Sequence, residues 1–346
     1  IFNYESDYVG ALKKYACSKC TGDILLELDH DDLLMPTAVE EVKKAFEDKS
    51  VGFVYSNFAE FEGDFKKRER YPYHQGWRYK PFDYQGHELE ECQSFPPTPT
   101  TVARVWYAPN HLRAWKTTVY NDVGGHSDKM RVLDDLDLLC RTYLKTKFHH
   151  IEKCLYLYRV TGENTWIKHN AEIQNNVMRI YDQYIHQMVL ATEGRKLDLG
   201  GRFSCPPGYE SVDLKNADVT ADLTKTWPFE DSSISVIRAY DVFEHLPDKI
   251  FTMKELSRVL KPGGIALLQV PSTDGRGAFQ DPTHVSFWNE NSFLYYTDDQ
   301  WARYIDKPVT FQATRMFTSD KNTQGVCWVV AHLINLKENH RPPGPI

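Results

Sequence analysis

Lys196-Leu197-Asp198-Leu199-Gly200-Gly201-Arg202 is the stretch that decides how the rest of the chain is interpreted. A short apolar run bounded by glycine is typical of a buried strand. The two glycines carry no Cβ, so the backbone after this strand can approach a ligand closely. The third glycine of the dinucleotide fingerprint, which serves pyrophosphate binding and helix packing, is absent. The stretch therefore predicts a strand-end nucleoside site that does not take a dinucleotide.

The residues that follow repeat a strand–loop–helix pattern. Apolar runs at 210–212, 234–239 and 265–270 alternate with helical segments, which is typical of a doubly wound α/β sheet. Two more candidate strands, 309–317 and 326–336, predict a hairpin at the edge of that sheet. The polar, Pro-rich end of the chain, residues 337–346, is predicted to be a disordered tail.

This half carries, in order, the motifs Leu197–Arg202, Pro207-Gly208-Tyr209 with Val212-Asp213, Ala221-Asp222-Leu223, Asp241-Val242-Phe243-Glu244-His245 and Leu260-Lys261-Pro262-Gly263-Gly264. This ordered set resembles that of class I methyltransferases with a Rossmann-like sheet. The resemblance implies S-adenosylmethionine as cofactor, with Asp198, Gly200, Gly201 and Asp241 lining its site. Asp213 would accept hydrogen bonds from the ribose hydroxyls, although an Asp that only starts a turn is the alternative. Asp222 would face the adenine amino group.

A loop after the last parallel strand carries His284, which could act as general base for an acceptor hydroxyl, because imidazole titrates near neutrality. Asp281 could orient its ring. The alternative is that His284 packs in the loop and proximity alone drives transfer. Glu244 and His245 are interpreted as helix-start and supporting residues.

The most informative segment of the first half runs from Gly22 to Asp32, where an apolar strand ends abruptly in three carboxylates. Side chains alternate in an extended chain, so Asp29 and Asp31 point the same way. Paired carboxylates at a strand end suit Mg²⁺ or Mn²⁺, which could bridge a diphosphate. A solvated acidic turn is the alternative.

This segment resembles the metal motif of the family 2 glycosyltransferases with the GT-A fold. A second match lies in Val123-Gly124-Gly125, Asp134–Leu138 and Leu155–Arg159. The resemblance implies a nucleotide-diphosphate sugar as donor and Asp135 as the general base. Helix capping is the alternative for Asp134 and Asp135. Arg159 would face the diphosphate, or else form a surface ion pair.

The resemblance also implies a longer section before the metal motif than the 28 residues that precede Asp29. We therefore expect a partial GT-A domain with an exposed sheet edge, which a second copy of the chain would complete in a homo-oligomer. The fold class expected is α/β, a partial GT-A domain followed by a Rossmann-like methyltransferase domain. The predicted boundaries are 1–165 for the first domain, 166–195 for a helical connector and 196–336 for the second domain. Residues 62–103 are predicted to be an irregular loop or lid.

Composition narrows the function classes. The formal net charge of −7 argues against nucleic-acid binding. No apolar run approaches the roughly 20 residues that span a bilayer, and the seven scattered cysteines, with one Cys17–Cys20 pair, suit a reducing cytoplasm.

Three functions stay open. The first is a bifunctional enzyme that transfers a sugar and a methyl group to a glycan or small polar acceptor. The second is a methyltransferase with an inactive glycosyltransferase scaffold. The third is a non-catalytic carbohydrate-binding protein.

Overall fold

A computed structural model describes residues 4–308 and 310–337 of the chain. The chain divides between Ala191 and Thr192 into two compact units, called here the front and rear units. No helix within the described ranges is both long enough and apolar enough to cross a membrane.

The front unit is a mixed α/β unit. The strands are β1 (Ile24–Leu26), β2 (Leu33–Leu34), β3 (Val51–Glu62), β4 (Lys66–Lys67), β5 (Tyr79–Tyr84), β6 (His87–Cys92), β7 (Arg113–Lys116) and β8 (Lys147–Arg159). The helices are α1 (Val9–Ser18), α2 (Ala38–Ala45), α3 (Pro99–Arg104), α4 (Thr117–Asp122), α5 (Asp134–Lys145), α6 (Thr165–Lys168) and α7 (Asn170–Ala191).

Strand β3 forms the centre of the front sheet. It pairs in parallel with β8 on one side and antiparallel with β7 and β6 on the other. Its first nine residues are all buried, and their nearly continuous apolar sequence fits a strand covered on both faces. Strand β1 pairs with β7 and lies at the edge of the sheet as the described residues define it. The acidic segment after β1 therefore begins at a sheet edge.

The prediction that residues 62–103 form an irregular stretch is wrong. This stretch contains β4, an antiparallel β5–β6 hairpin and α3. The hairpin turns at Gln85 and Gly86, which both have positive φ (55° and 86°), the geometry of a type I′ turn. Sequence reasoning missed it because Gln-Gly is a weaker turn signal than Asn-Gly, and the strands are largely polar. Helix α3 starts with a capping box between Thr98 and Thr101.

The rear unit is built around a seven-stranded sheet in the order β11-β10-β9-β12-β13-β15-β14. The first five of these strands pair in parallel, and β15 and β14 form the predicted antiparallel hairpin at one edge. The α/β fold class of a GT-A-like front and a Rossmann-like rear is confirmed. The strands are β9 (Arg195–Leu199), β10 (Glu210–Asp213), β11 (Val219–Thr220), β12 (Ile234–Tyr240), β13 (Leu260–Pro271), β14 (Phe311–Thr318) and β15 (Trp328–Asn335), and the helices are α8 (Lys249–Val259), α9 (Gly277–Gln280), α10 (Glu290–Thr297) and α11 (Asp299–Ala302).

Two segments near the predicted domain boundaries form defined contacts with the units. Most of the predicted connector, residues 166–195, is α7, which contacts α3 and α5 and belongs to the front unit. Tyr184 of α7 donates a 2.6 Å hydrogen bond to Asp137 of α5. Lys337, the first residue of the predicted tail, donates a 2.9 Å hydrogen bond to Ser232. The rest of that tail, 338–346, lies outside the described residues.

Candidate active sites

The segment after β1 is held in place by β8. The Tyr156 hydroxyl accepts a hydrogen bond from the Asp29 amide (3.2 Å) and donates one to Asp32 Oδ2 (2.8 Å). The Arg159 amide donates to Asp32 Oδ1 over 2.7 Å. Asp32 is thus a buried anchor, whereas the side chains of Asp29 and Asp31 keep 36% and 32% of their surface exposed. The two predicted metal ligands are the members of this acidic segment that remain accessible.

A cation of α1 faces Asp29. Lys13 Nζ lies 3.4 Å from Asp29 Oδ1, and His111 Nε2 lies 3.9 Å from Oδ2. Burial, followed by the charge of Arg113, lowers the pKa of His111 to about 4, so its ring is neutral at pH 7. Although burial opposes it, the Lys13 charge lowers the pKa of Asp29. Lys13 is therefore the positive charge that stabilises ionised Asp29.

The predicted base, Asp135, is paired with a buried arginine on β7. Arg113 Nη1 donates to Asp135 Oδ2 over 2.9 Å, and Arg113 Nε donates to the Pro109 carbonyl, also over 2.9 Å. Burial by itself raises the pKa of Asp135, but the Arg113 and Lys13 charges outweigh it and lower that pKa. Asp135 is thus an ionised carboxylate at the start of α5.

Behind these groups lies a buried triad of Glu27, His126 and Asp134. His126, with no exposed surface, places Nε2 2.7 Å from Glu27 and Nδ1 2.8 Å from Asp134. Burial disfavours the imidazolium, yet Glu27 and Asp134 raise the pKa of His126 to about 9. Asp134 therefore joins α5, through His126, to the segment after β1. Sequence reasoning missed His126, Lys13 and Arg113, since no spacing pattern links them to their partners.

Arg159, the predicted diphosphate partner, is directed toward the protein. Its Nε donates to the Asp31 carbonyl (2.9 Å), its Nη1 donates to the Gly63 carbonyl (3.1 Å), and its guanidinium stacks on Phe61. A contact with a diphosphate stays a prediction, and the observed bonds support the backbone of the acidic segment.

The donor set of this site fits a hard divalent cation, since it offers two accessible carboxylates at a strand end. The described residues of the front unit contain no group of three closely placed His, Cys, Asp or Glu ligand atoms. An ion at Asp29 and Asp31 would therefore depend on donor-substrate or water oxygens for its remaining ligands, and it would have to displace Lys13.

In the rear unit the two glycines after β9 occupy positions that admit no side chain. Gly200 has φ of +72°, and a Cβ there would lie 2.4 Å from Val242 Cγ2. A Cβ on Gly201 would lie 2.5 Å from Asp198 Oδ2. Asp198 itself is fully buried and accepts a 2.6 Å hydrogen bond from Arg238. Side chains of the protein occupy the space of each missing Cβ, so packing of the turn requires both glycines, and buried Asp198 supports this turn from within. Contact of these residues with a nucleoside cofactor stays a prediction.

The other predicted cofactor residues lie at neighbouring strand ends. Asp213 ends β10, whose neighbour β9 ends just before Gly200. The Ala221 amide donates to the Asp213 carbonyl over 2.9 Å, which brings Asp222 to the same edge. Asp222 accepts from Thr224 and pairs with exposed Lys225 at 3.1 Å. Asp241 follows β12 with φ of +55° and accepts a 2.8 Å hydrogen bond from Trp328 Nε1.

His284 lies in a cluster that the sequence did not predict. Its Nδ1 donates to the Ala278 carbonyl (3.0 Å), whereas the Asp281 carboxylate accepts from Thr283; the prediction that Asp281 orients the ring is therefore wrong. His284 Nε2 lies 3.8 Å from Glu244 Oε1, and His245 Nε2 lies 4.0 Å from the same oxygen.

Glu244 is the unusual member of this cluster. It is 1% exposed, and both carboxylate oxygens lack a hydrogen-bond partner. Burial raises the pKa of Glu244 to about 8. A buried polar group without a hydrogen-bond partner lowers the stability of the folded state by about 1–3 kcal/mol. The unpaired Glu244 carboxylate therefore points to a role beyond packing. Glu244 and His245 sit in a short 3₁₀ helix, Phe243–His245, and the Glu-His pair was the signal available in the sequence.

Comparison with known proteins agrees with this division. Residues 5–104 match the glycosyl transferase family 2 model, and residues 208–268 match the methyltransferase domain model. A 2-methyl-6-phytyl-1,4-hydroquinone methyltransferase from Synechocystis is 36% identical over 96 residues, which are 27% of this chain and 29% of that protein. The chain thus spans less than a third of the curated relatives it matches.

Two solved structures show more distant likeness. Residues 1–349 of S. aureus TarS align at 14% identity with a TM-score of 0.34, covering 54% of this chain and 46% of that one. The YcgJ protein of Bacillus subtilis aligns at 15% identity with a TM-score of 0.32, and the alignment covers 44% of this chain and 98% of that one.

Proposed function

We propose that this chain, which carries a family 2 glycosyltransferase domain followed by an S-adenosylmethionine methyltransferase domain, is a bifunctional glycan-modifying enzyme. The front unit would transfer a sugar from a nucleotide-diphosphate sugar, and the rear unit a methyl group, to a glycan or similar polar acceptor. A cytoplasmic location is part of the proposal.

The observation that carries the proposal is the placement of Gly200, Asp213 and Asp241 at the ends of three adjacent parallel strands, β9, β10 and β12. Ligands of open α/β sheets bind at that edge. Gly200 allows the turn after β9 to pack closely against Val242, and Asp213 would provide the acceptor for ribose hydroxyls. S-adenosylmethionine, when bound, supplies an electrophilic methyl group, so the protein's own task is to hold the acceptor oxygen in line.

The front unit supports sugar transfer through the position of its carboxylates. Asp135, ionised beside Arg113, is a proton acceptor at the start of α5, and Asp29 and Asp31 offer oxygens for a Mn²⁺ or Mg²⁺ ion. Such an ion would neutralise charge on a departing nucleoside diphosphate.

A second candidate, methyl transfer alone, is favoured by one observation. Lys13 lies 3.4 Å from Asp29 and Arg113 lies 2.9 Å from Asp135, so the protein's own cations already neutralise the acidic groups that sugar transfer would use.

Titration calorimetry separates the candidates. Wild-type protein is titrated with S-adenosylmethionine, and separately with UDP-glucose and UDP-N-acetylglucosamine in the presence of Mn²⁺. Heat from both ligand classes supports the bifunctional enzyme, and heat from S-adenosylmethionine alone supports the second candidate. Heat from neither leaves a non-catalytic carbohydrate-binding protein.

Matched variants assign each binding event to its site. Asp213→Ala should weaken S-adenosylmethionine binding about 10- to 100-fold, since hydrogen bonds to a charged acceptor contribute about 1.5–3 kcal/mol. The control Asp320→Ala removes an exposed carboxylate of the same unit and should change nothing. Asp31→Asn should abolish Mn²⁺-dependent binding of the UDP-sugars, whereas Asp64→Asn, an exposed turn residue of the front unit, should not.

A further inference from the structure

We propose that Glu244, His245 and His284 bind a divalent first-row transition-metal ion in the rear unit. One ligand atom from each residue lies within 4.8 Å of the others. Two imidazoles and one carboxylate form a donor set typical of Zn²⁺, Fe²⁺, Mn²⁺ or Co²⁺. This site is separate from the carboxylate pair Asp29 and Asp31, and it does not depend on the proposed transfer reactions.

The buried carboxylate is the first argument. Glu244 is almost fully buried, and neither of its oxygens has a hydrogen-bond partner. The two ring nitrogens nearest to it, at 3.8 and 4.0 Å, are too far for hydrogen bonds. A cation between the carboxylate and the two rings would satisfy all three groups at once.

The orientation of both rings is the second argument. His284 Nδ1 donates to the Ala278 carbonyl, and His245 Nδ1 lies 3.2 Å from the Thr283 carbonyl. The Thr283 hydroxyl also lies 3.2 Å from His245 Nδ1, but it donates its own proton to Asp281, so Nδ1 is the donor toward Thr283. With the proton of each ring on Nδ1, the two Nε2 atoms, 3.8 and 4.0 Å from Glu244 Oε1, keep a lone pair for a ligand bond. Metal-bound histidines characteristically use one nitrogen for the ion and the other for such a carbonyl.

The backbone also fixes the distance between the two ligand segments. The Glu244 carbonyl accepts hydrogen bonds from the amides of Val285 (2.9 Å) and Ser286 (3.0 Å), directly after His284. Ser286 Oγ donates to the Phe243 carbonyl over 2.8 Å. The loop with His284 is therefore tied to the 3₁₀ helix with the other two ligands.

The spacing needs little adjustment. Ligand atoms about 2.1 Å from a tetrahedral ion are about 3.4 Å apart, so small side-chain rotations close the observed gaps. Three protein ligands leave at least one coordination position for a non-protein ligand. His284 Nε2 cannot hold an ion and accept a proton at the same time, so the ion replaces the predicted role of His284 as general base.

Metal analysis of the full chain tests the site. The protein is stripped with a chelator, loaded with Zn²⁺ or Co²⁺, and analysed for bound metal and for Co²⁺ d–d absorption. We expect one ion per chain in wild-type protein and in Asp29→Asn/Asp31→Asn, which lacks the front carboxylate pair. His245→Ala and Glu244→Gln should weaken Zn²⁺ binding by more than about 100-fold, because even outer partners of a metal site change affinity about 10- to 100-fold.

Further controls separate loss of the metal site from misfolding and from the removal of any histidine. The side chain of His245 is 39% exposed, so His245→Ala should fold normally and retain S-adenosylmethionine binding, even if Glu244→Gln does not fold. His87→Ala tests loss of a histidine elsewhere and should leave the ion bound. Zn²⁺ should raise the thermal unfolding midpoint of wild-type protein and not that of His245→Ala.

The proposal is overturned if wild-type protein binds no ion, if His245→Ala binds it unchanged, or if the ion is lost only with Asp29 and Asp31. Mg²⁺ bound as tightly as Zn²⁺ would overturn the assignment to transition metals. These readouts do not require methyl transfer, so failure of metal binding and failure of S-adenosylmethionine binding are distinguishable.

Discussion

Arg113 Nη1 lies 2.9 Å from Asp135 Oδ2, and the same nitrogen lies 3.9 Å from Glu27 Oε2. One buried guanidinium thus stands between the predicted base on α5 and a carboxylate at the end of β1. Arg113 is 3% exposed, so its guanidinium is protected from solvent, whereas the Asp135 side chain is 31% exposed.

Replacing Arg113 by Met should destabilise the front unit by up to about 3–5 kcal/mol, because buried Glu27 and partly exposed Asp135 would lose the guanidinium that lies between them. Urea unfolding followed by tryptophan fluorescence measures the loss. The double variant Arg113→Met/Asp135→Asn should recover part of it, since one of the uncompensated charges is then gone. A loss below about 1 kcal/mol in the single variant would mean that the pair resembles an exposed ion pair.

Stability of the front unit should fall as pH rises from about 6.5 to about 9. The pKa of His126 is raised from 6.5 to about 9 in the folded state, so folded protein holds a proton there that unfolded protein has lost. The stabilisation that this His126 proton gives the folded state is fully present below about pH 6.5 and is lost as pH rises through about 9. It amounts to about 3 kcal/mol at most. Urea unfolding at several pH values measures it. His126→Asn, less stable overall, should show a flatter profile, and equal slopes in both proteins would contradict the assignment.

Gly200→Ala should weaken S-adenosylmethionine binding at least about tenfold, because the added Cβ overlaps Val242 Cγ2 and the positive φ itself costs about 1 kcal/mol. Gly325→Ala is the matched control: its φ is +73°, but its Cβ would meet nothing closer than 3.4 Å. Adding Val242→Ala to Gly200→Ala should restore part of the binding, as measured by calorimetry. If Gly200→Ala and Gly325→Ala weaken S-adenosylmethionine binding equally, backbone strain and not the overlap with Val242 causes the loss of affinity.

Tyr156→Phe should lower the free energy of unfolding of the front unit by about 1–3 kcal/mol, because the Asp29 amide and Asp32 Oδ2 would each lose a hydrogen bond. The acidic segment would also lose an anchor, so Mn²⁺-dependent binding of a UDP-sugar should weaken as well. Calorimetry and urea unfolding report the two effects separately. Tyr84→Phe, on β5 of the same unit, should leave both unchanged. If Tyr156→Phe lowers stability but leaves Mn²⁺-dependent binding unaltered, Tyr156 stabilises the fold without positioning the metal ligands.

The placement of many predicted site residues followed from local patterns. Alternation along a strand and the glycines or carboxylates that follow it are properties of a few consecutive residues, so the sequence alone places Asp29, Gly200 and Asp213 at or just after strand ends. The β5–β6 hairpin was missed for an equally local reason, a weak turn signal at Gln85-Gly86.

The sequence by itself determined the two-domain α/β class and the strand ends at which ligands are expected. Only the tertiary structure decided the charge partners: His126 meets Glu27 across 99 positions of the chain, and Glu244 meets His284 across 40. Such pairs depend on how sheets, helices and loops pack, and no periodicity along the chain encodes which distant side chains that packing brings together.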